Sequence, residues 1–148
     1  MNKSFQINIV TCGATEKWAE PAVLHWKKRI ESLAKINFDF IKHKQPQKLK
    51  NTLLTRLGKY PIALTRKGEI FDTPDWVKLL EKLHISVGCV TFLIGEAHGL
   101  PEKILQSCRE KISLSPTTIQ HDVALIVLLE QLYRALSIRA GLPYHKAR

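Results

Sequence analysis

Apolar and polar residues alternate over Gln6-Ile-Asn-Ile-Val-Thr11 before the chain reaches Gly13, the period of a strand delivered into a turn. Val23, Trp26, Ile30, Leu33 and Ala34 then recur at helical spacing behind Pro21, a residue suited to a first helical turn. Ile36-Asn-Phe-Asp-Phe-Ile41 alternates again, giving a second strand. Leu49, Leu53, Leu54 and Leu57 fit a short amphipathic helix, with His43 to Gln47 expected to be mobile. Ile62-Ala-Leu64 predicts a third strand running into a turn at Lys67-Gly68, and Thr73 is placed to cap a helix striped by Trp76, Leu79, Leu80 and Leu83.

Cys89-Val-Thr-Phe-Leu-Ile94 is apolar almost without interruption, the pattern of a central strand covered on both faces. A helix from Pro101 to Cys108, a strand at Ile112 to Leu114 and a long helix from about Asp122 to Ala140 complete the series. Strands alternating with helices predict an α/β fold, a parallel sheet flanked by helices. Val123 to Leu129 is apolar nearly all round, so the last helix is expected to be deeply buried and also to serve a subunit interface.

Composition narrows the partner. The chain has 148 residues, a length that suits one domain spanning 1–148. Lys and Arg number 23 against 13 acidic residues, a net charge of +10 that favours polyanions. The charge is clustered: Lys42, Lys44, Lys48, Lys50, Arg56 and Lys59 form one run without an acid, and Arg134, Arg139, Lys146 and Arg148 form another. Two one-sign patches suit phosphate contacts better than a general solubility charge does. Cys12, Cys89 and Cys108 have neither disulfide-framework nor metal-ligand spacing, so no metal is expected and a reducing cytoplasm fits best. Neither the start of the chain nor its longest apolar run resembles a signal or a membrane span.

Ligands in open α/β sheets bind beyond the carboxyl ends of strands, so the loops after Leu64, Ile94 and Leu114 are the candidate wall of a pocket. Gly95 and Gly99 flank Glu96-Ala-His98, which fits either a tight turn or a close approach of ligand to the main chain. The dinucleotide and P-loop fingerprints are both missing. Ser115, Pro116, Thr117, Thr118, Ile119 and Gln120 supply hydroxyls and backbone donors suited to a heterocycle edge, or a plain capping loop before Asp122. His121 stands at the mouth of that loop. Glu130 and Arg134 are spaced to pair on one helical face, and Tyr144, His145 and Lys146 offer a stacking ring, an imidazole and a phosphate partner on a tail that is either mobile or functional.

In series, Phe92-Leu-Ile-Gly95 with Gly99-Leu100, Ser113-Leu-Ser115, Thr118, His121, Glu130-Gln-Leu-Tyr-Arg-Ala135 and Pro143-Tyr-His-Lys146 closely resemble the ribosomal RNA large subunit methyltransferase H family. The resemblance extends over essentially the whole chain, including Ile9-Val10 with Gly13 and Tyr60-Pro-Ile-Ala-Leu64 with Gly68. It implies a SPOUT-type parallel sheet with a C-terminal trefoil knot, a homodimer, S-adenosylmethionine as cofactor, and methylation of N3 of a pseudouridine in 23S ribosomal RNA, on the assembled ribosome. By resemblance, Leu64, Gly95 and Ser115 to Gln120 bind cofactor, Arg134, Tyr144 and Lys146 bind substrate, and His121 and His145 are the candidate proton acceptors. Three positions depart from the family pattern: Glu96 replaces a second Gly, Thr65 an acidic residue, and Leu125 an Arg. Glu96 and Leu125 motivate the alternative, a non-catalytic RNA- or ribosome-binding module on the same fold. A metal-dependent nuclease would need clustered carboxylates that the chain does not show.

Overall fold

The computed structural model describes residues 5–96 and 98–146. Five strands form one wholly parallel sheet: β1 (Gln6–Cys12), β2 (Lys35–Ile41), β3 (Pro61–Ile70), β4 (Cys89–Ile94) and β5 (Glu110–Ser113), in the order β2-β1-β4-β3-β5. The helices are α1 (Glu20–Glu31), α2 (Pro46–Leu54), α3 (Thr73–Ser86), α4 (Glu102–Ser107) and α5 (His121–Arg139).

Strand alternation divides the core in two. Ile7 and Ile9 of β1 and Val90, Phe92 and Ile94 of β4 join the larger cluster under α1, α3 and α5, while Val10, Cys12 and Leu93 join the smaller one with Leu53 of α2 and Ile104 of α4. Both faces of β4 are therefore covered, which explains its unbroken apolar run. Helix α5 packs between α1 and α3, burying Leu125, Leu128, Leu129, Leu132 and Leu136, while Val123 keeps 39% of its surface exposed and Ile126 and Val127 are half-buried. Its expected burial is present, and part of its apolar circumference is left at the surface.

Several boundaries differ from the sequence-based expectation. Strand β3 does not stop at a Lys67-Gly68 turn but continues to Ile70 through a bulge, since Leu64 and Glu69 both lie opposite Ile112. Gly68 marks the return of the bulged chain to β5: a Cβ there would stand 2.6 Å from the Lys111 carbonyl carbon and 2.7 Å from the Ile112 nitrogen. Asp72, not Thr73, caps α3, through a reciprocal capping box with Asp75. Helix α2 begins at Pro46, inside the segment expected to be mobile, because proline at a first turn costs no helical hydrogen bond. Strand β5 begins at Glu110, two residues before the predicted Ile112.

Candidate active site

Strands β4, β3 and β5 are adjacent, so the loops that leave them share one wall. They enclose a cavity of ≈ 510 Å³. Leu64, Gly95, Ser115, Thr117, Thr118, Ile119, Gln120 and His121 all line it, while Pro116 does not. The β3 bulge adds Thr65, Arg66 and Lys67, and the β4 loop adds Glu96 and His98. Arg66 and Lys67 were missed as site residues. Only the bulge turns them inward, and its sequence signal, Gly68 after two cations, reads equally well as a turn.

Local chemistry shapes each loop. Glu96 and Gly99 form a tight bridge, with the Gly99 N–H donating to the Glu96 carbonyl at 2.7 Å. Gly99 has φ +77, whereas Gly95 is needed for closeness: a Cβ on it would lie 2.6 Å from the Gly99 carbonyl carbon. The Glu96 carboxylate reaches over Gly13, with Oε1 2.7 Å from where a Gly13 Cβ would sit. Burial first, and that nearby carboxylate second, push the Cys12 thiol up to about 11.

In the third loop the hydroxyls of Ser115 and Thr117 pair at 2.7 Å, and the Ser115 Oγ also accepts from the Thr117 N–H. Gln120 caps α5, its Oε1 accepting from the N–H groups of Asp122 and Val123 at 2.9 and 3.1 Å, so Asp122, the expected start of the helix, is not its cap. Asp122 is instead fully buried, and its Oδ2 accepts from the Glu16 N–H and the Gln120 Nε2. Its Oδ1 lies 3.3 Å from His121 Nε2, close but not aligned for a hydrogen bond, and neither atom has a partner among the described residues.

The other predicted residues gather elsewhere. Glu130 Oε2 accepts from Arg134 Nη2 at 2.6 Å and from the Tyr144 hydroxyl at 2.7 Å. Burial of the Glu130 carboxyl opposes ionisation, but the hydrogen bonds from Tyr144 and Arg134 outweigh it and hold its pKa below the ordinary glutamate value. Arg134 Nη1 lies 3.0 Å from His145 Nδ1. A guanidinium only donates, so in this contact Nδ1 is the acceptor and Nε2 is left to donate. The Tyr144 ring packs against Tyr133 and Trp26, with the guanidinium carbons of Arg134 and Arg29 at 4.9 and 5.3 Å. The tail is thus anchored through Tyr144 and His145, with Lys146 exposed beyond them and Arg148 outside the described residues. None of Arg134, Tyr144, His145 and Lys146 lines the cavity.

Two departures from the family pattern acquire a setting. Leu125 is 1% exposed in the larger core cluster, and Thr65 lines the cavity, its Oγ1 accepting from the Lys67 N–H. Among the described residues no group of three His, Cys, Asp or Glu side chains is arranged to hold a metal, and no helix is long and apolar enough to cross a membrane. In the basic run, Arg56 is paired with Asp39.

A family model described as predicted SPOUT methyltransferase matches residues 5–145. A protein named ribosomal RNA large subunit methyltransferase H from Prochlorococcus marinus (strain MIT 9515) is 32% identical over 148 residues, covering 99% of this chain and 100% of the relative. A protein of the same name from Thermus thermophilus is 35% identical over 130 residues, 87% of this chain and 89% of the relative. Among solved structures, a probable methyltransferase from Bordetella pertussis superposes with a TM-score of 0.59 at 14% identity, covering 92% of this chain and 99% of the other. AviRb of Streptomyces viridochromogenes, a SpoU methyltransferase solved in complex with AdoMet, gives a TM-score of 0.51 at 11% identity, covering 96% of this chain and 60% of the other. The structural likenesses establish the fold; the sequence relatives establish the family.

Proposed function

The chain belongs to the SPOUT methyltransferase family, in its ribosomal RNA large subunit methyltransferase H group, and from that premise we propose that it methylates N3 of a pseudouridine in 23S ribosomal RNA on the assembled ribosome, using S-adenosylmethionine. The observation that carries this reading is the convergence of three loops, from the adjacent strands β4, β3 and β5, on one cavity. We further propose that residues 1–148 act as one cytoplasmic SPOUT domain with a C-terminal trefoil knot. Membership of the SPOUT family is what supports the knot.

The residues present fit the cofactor. A volume of ≈ 510 Å³ lies within the usual small-molecule range of about 300–1,000 Å³. Leu64, Ile94, Leu114 and Ile119 offer apolar surface to an adenine, and Gly95 keeps its loop closed tightly enough to present main chain. Thr117, Thr118 and Gln120 supply polar groups, and Arg66 and Glu96 offer opposite charges to an amino acid's carboxylate and ammonium. When bound, S-adenosylmethionine supplies a methyl group already made electrophilic by the sulfonium.

The protein's own task is then to hold the base in line and to take its N3 proton. We assign the proton to His121, which lines the cavity and whose Nε2 is buried 3.3 Å from Asp122 Oδ1, a carboxylate that would steady the ring once it has taken the proton. His145, with Nδ1 committed to Arg134, presents Nε2–H and is assigned as a donor that steadies the developing negative charge on the base. Arg134, Tyr144 and Lys146 bind RNA. Because this cluster does not line its own chain's cavity, and Val123, Ile126 and Val127 leave apolar surface on α5, we assign the tail to the pocket of a second subunit in a homodimer.

The test is transfer of labelled methyl from S-adenosylmethionine to free 23S RNA, large subunits and whole ribosomes, with the product nucleotide identified by mass spectrometry. Whole ribosomes are expected to be the best acceptor. Absence of transfer to all three would overturn the reading. Equal transfer to ribosomes carrying uridine in place of the pseudouridine would overturn the assigned target.

A further inference from the structure

A second concavity, of ≈ 320 Å³, shares no residue with the first. It lies where the edge strand β2 emerges from beneath α1. Ile36 is buried there, but Phe38 and Phe40, on the same face of the strand, are only half-buried. Their rings lie 5.7 Å apart between centroids and within 6° of parallel. Lys27 from α1 and Lys42 from the end of β2 stand at this platform together with Glu20 and Thr15.

An apolar hollow alone would accept many occupants, but parallel aromatic faces flanked by two cations select a flat, anionic one. We propose that this groove binds one unpaired nucleotide of the substrate RNA, its base against Phe38 and Phe40 and its flanking phosphates on Lys27 and Lys42. The RNA identity of the ligand rests on the function proposed above. Lys42 also opens the basic run that continues through Lys44, Lys48 and Lys50, so the strand leaving the groove meets further phosphate partners. The Glu20 carboxylate is available to the base edge, where it accepts only from an N–H. The groove therefore adds affinity away from the methyl-transfer pocket and positions the RNA that enters it.

The test uses fluorescence anisotropy with an end-labelled single-stranded uridine 12-mer and the same oligomer made abasic, on the full chain. Phe38→Leu and Phe40→Leu keep apolar volume but remove the stacking faces. Together they are expected to weaken uridine binding about tenfold and to remove the preference for uridine over abasic RNA. The Lys27→Ala/Lys42→Ala pair, which leaves the platform intact, is expected to lower the salt dependence of binding while keeping that preference. Affinity for S-adenosylmethionine and sedimentation behaviour are expected to be unchanged in both variants. Unchanged RNA affinity in both, against a wild type that binds, overturns the groove. So does conversion of a dimer to a monomer by either pair, which would make the surface an interface between copies. A wild type that binds neither oligomer nor ribosome counts instead against the RNA function itself.

Discussion

Gly68→Ala probes the joint between the fold and the cavity. The glycine's φ lies outside the left-handed region, so alanine meets no backbone penalty there, and stiffening the unfolded chain by itself would stabilise by about 0.4–1 kcal/mol. Packing opposes this. The new Cβ would stand 2.6 Å from the Lys111 carbonyl carbon, and carbon atoms rest at about 3.5–4.0 Å, so β5 must retreat by about 1 Å. The three nearest atoms all belong to the backbone of β5, so no side-chain rotation relieves the clash with them. Overpacking of this kind costs about 1–3 kcal/mol, which leaves a net loss of about 1.3 kcal/mol at the middle of both ranges and a fall in Tm of about 3–5 °C. Because Leu114 to Gln120 hang from the end of β5, S-adenosylmethionine affinity should fall with it. Urea unfolding followed by circular dichroism, together with calorimetry of cofactor binding, measures both. Gly88→Ala is the control: nothing lies within 4 Å of its Cβ, its cost comes only from φ +88, and the cavity should be spared. A Gly68→Ala protein as stable as its parent, with unchanged cofactor affinity, would refute the role assigned to the bulge.

Other consequences follow from the same geometry. Gln120→Ala removes the acceptor for two N–H groups at the start of α5 and should cost about 1 kcal/mol in urea unfolding; a loss below a few tenths would mean that water replaces the cap at no cost. Glu130 has a lowered folded pKa, so its stabilisation of the tail is present above the unfolded value of about 4.3 and is lost as pH falls through the folded value. Tyr144 ring resonances should move toward free tyrosine in that acid window, and in Glu130→Gln at neutral pH; invariance in both would contradict the anchoring. With thiols at about 11, Cys12 and Cys108 carry about one thiolate in a thousand at pH 8, so iodoacetamide should label them slowly in the folded protein and rapidly in urea. Glu96→Gln should quicken Cys12 labelling modestly, since its charge is the lesser cause of the shift.

Periodicity alone determined the order of strands and helices, the central position of β4 and the burial of α5, because each depends on which faces of a local element must leave water. The three cavity loops were legible for the same reason: they follow strand ends, and their glycines and hydroxyls mark departure from regular structure. Adjacency of β4, β3 and β5 was not legible, since parallel strands pair through crossovers whose partners no local pattern names. Nor was the bulge that turns Arg66 and Lys67 into the cavity, because Gly68 is required by the backbone of β5, which lies more than forty residues further along the chain. The Glu130–Arg134 pair was visible as a helical spacing, but only folding joined Tyr144 and His145 to it and kept that cluster out of its own chain's cavity. Local patterns reflect one element's exposure to water; a site assembled from several elements depends on contacts that exist only once the chain has folded.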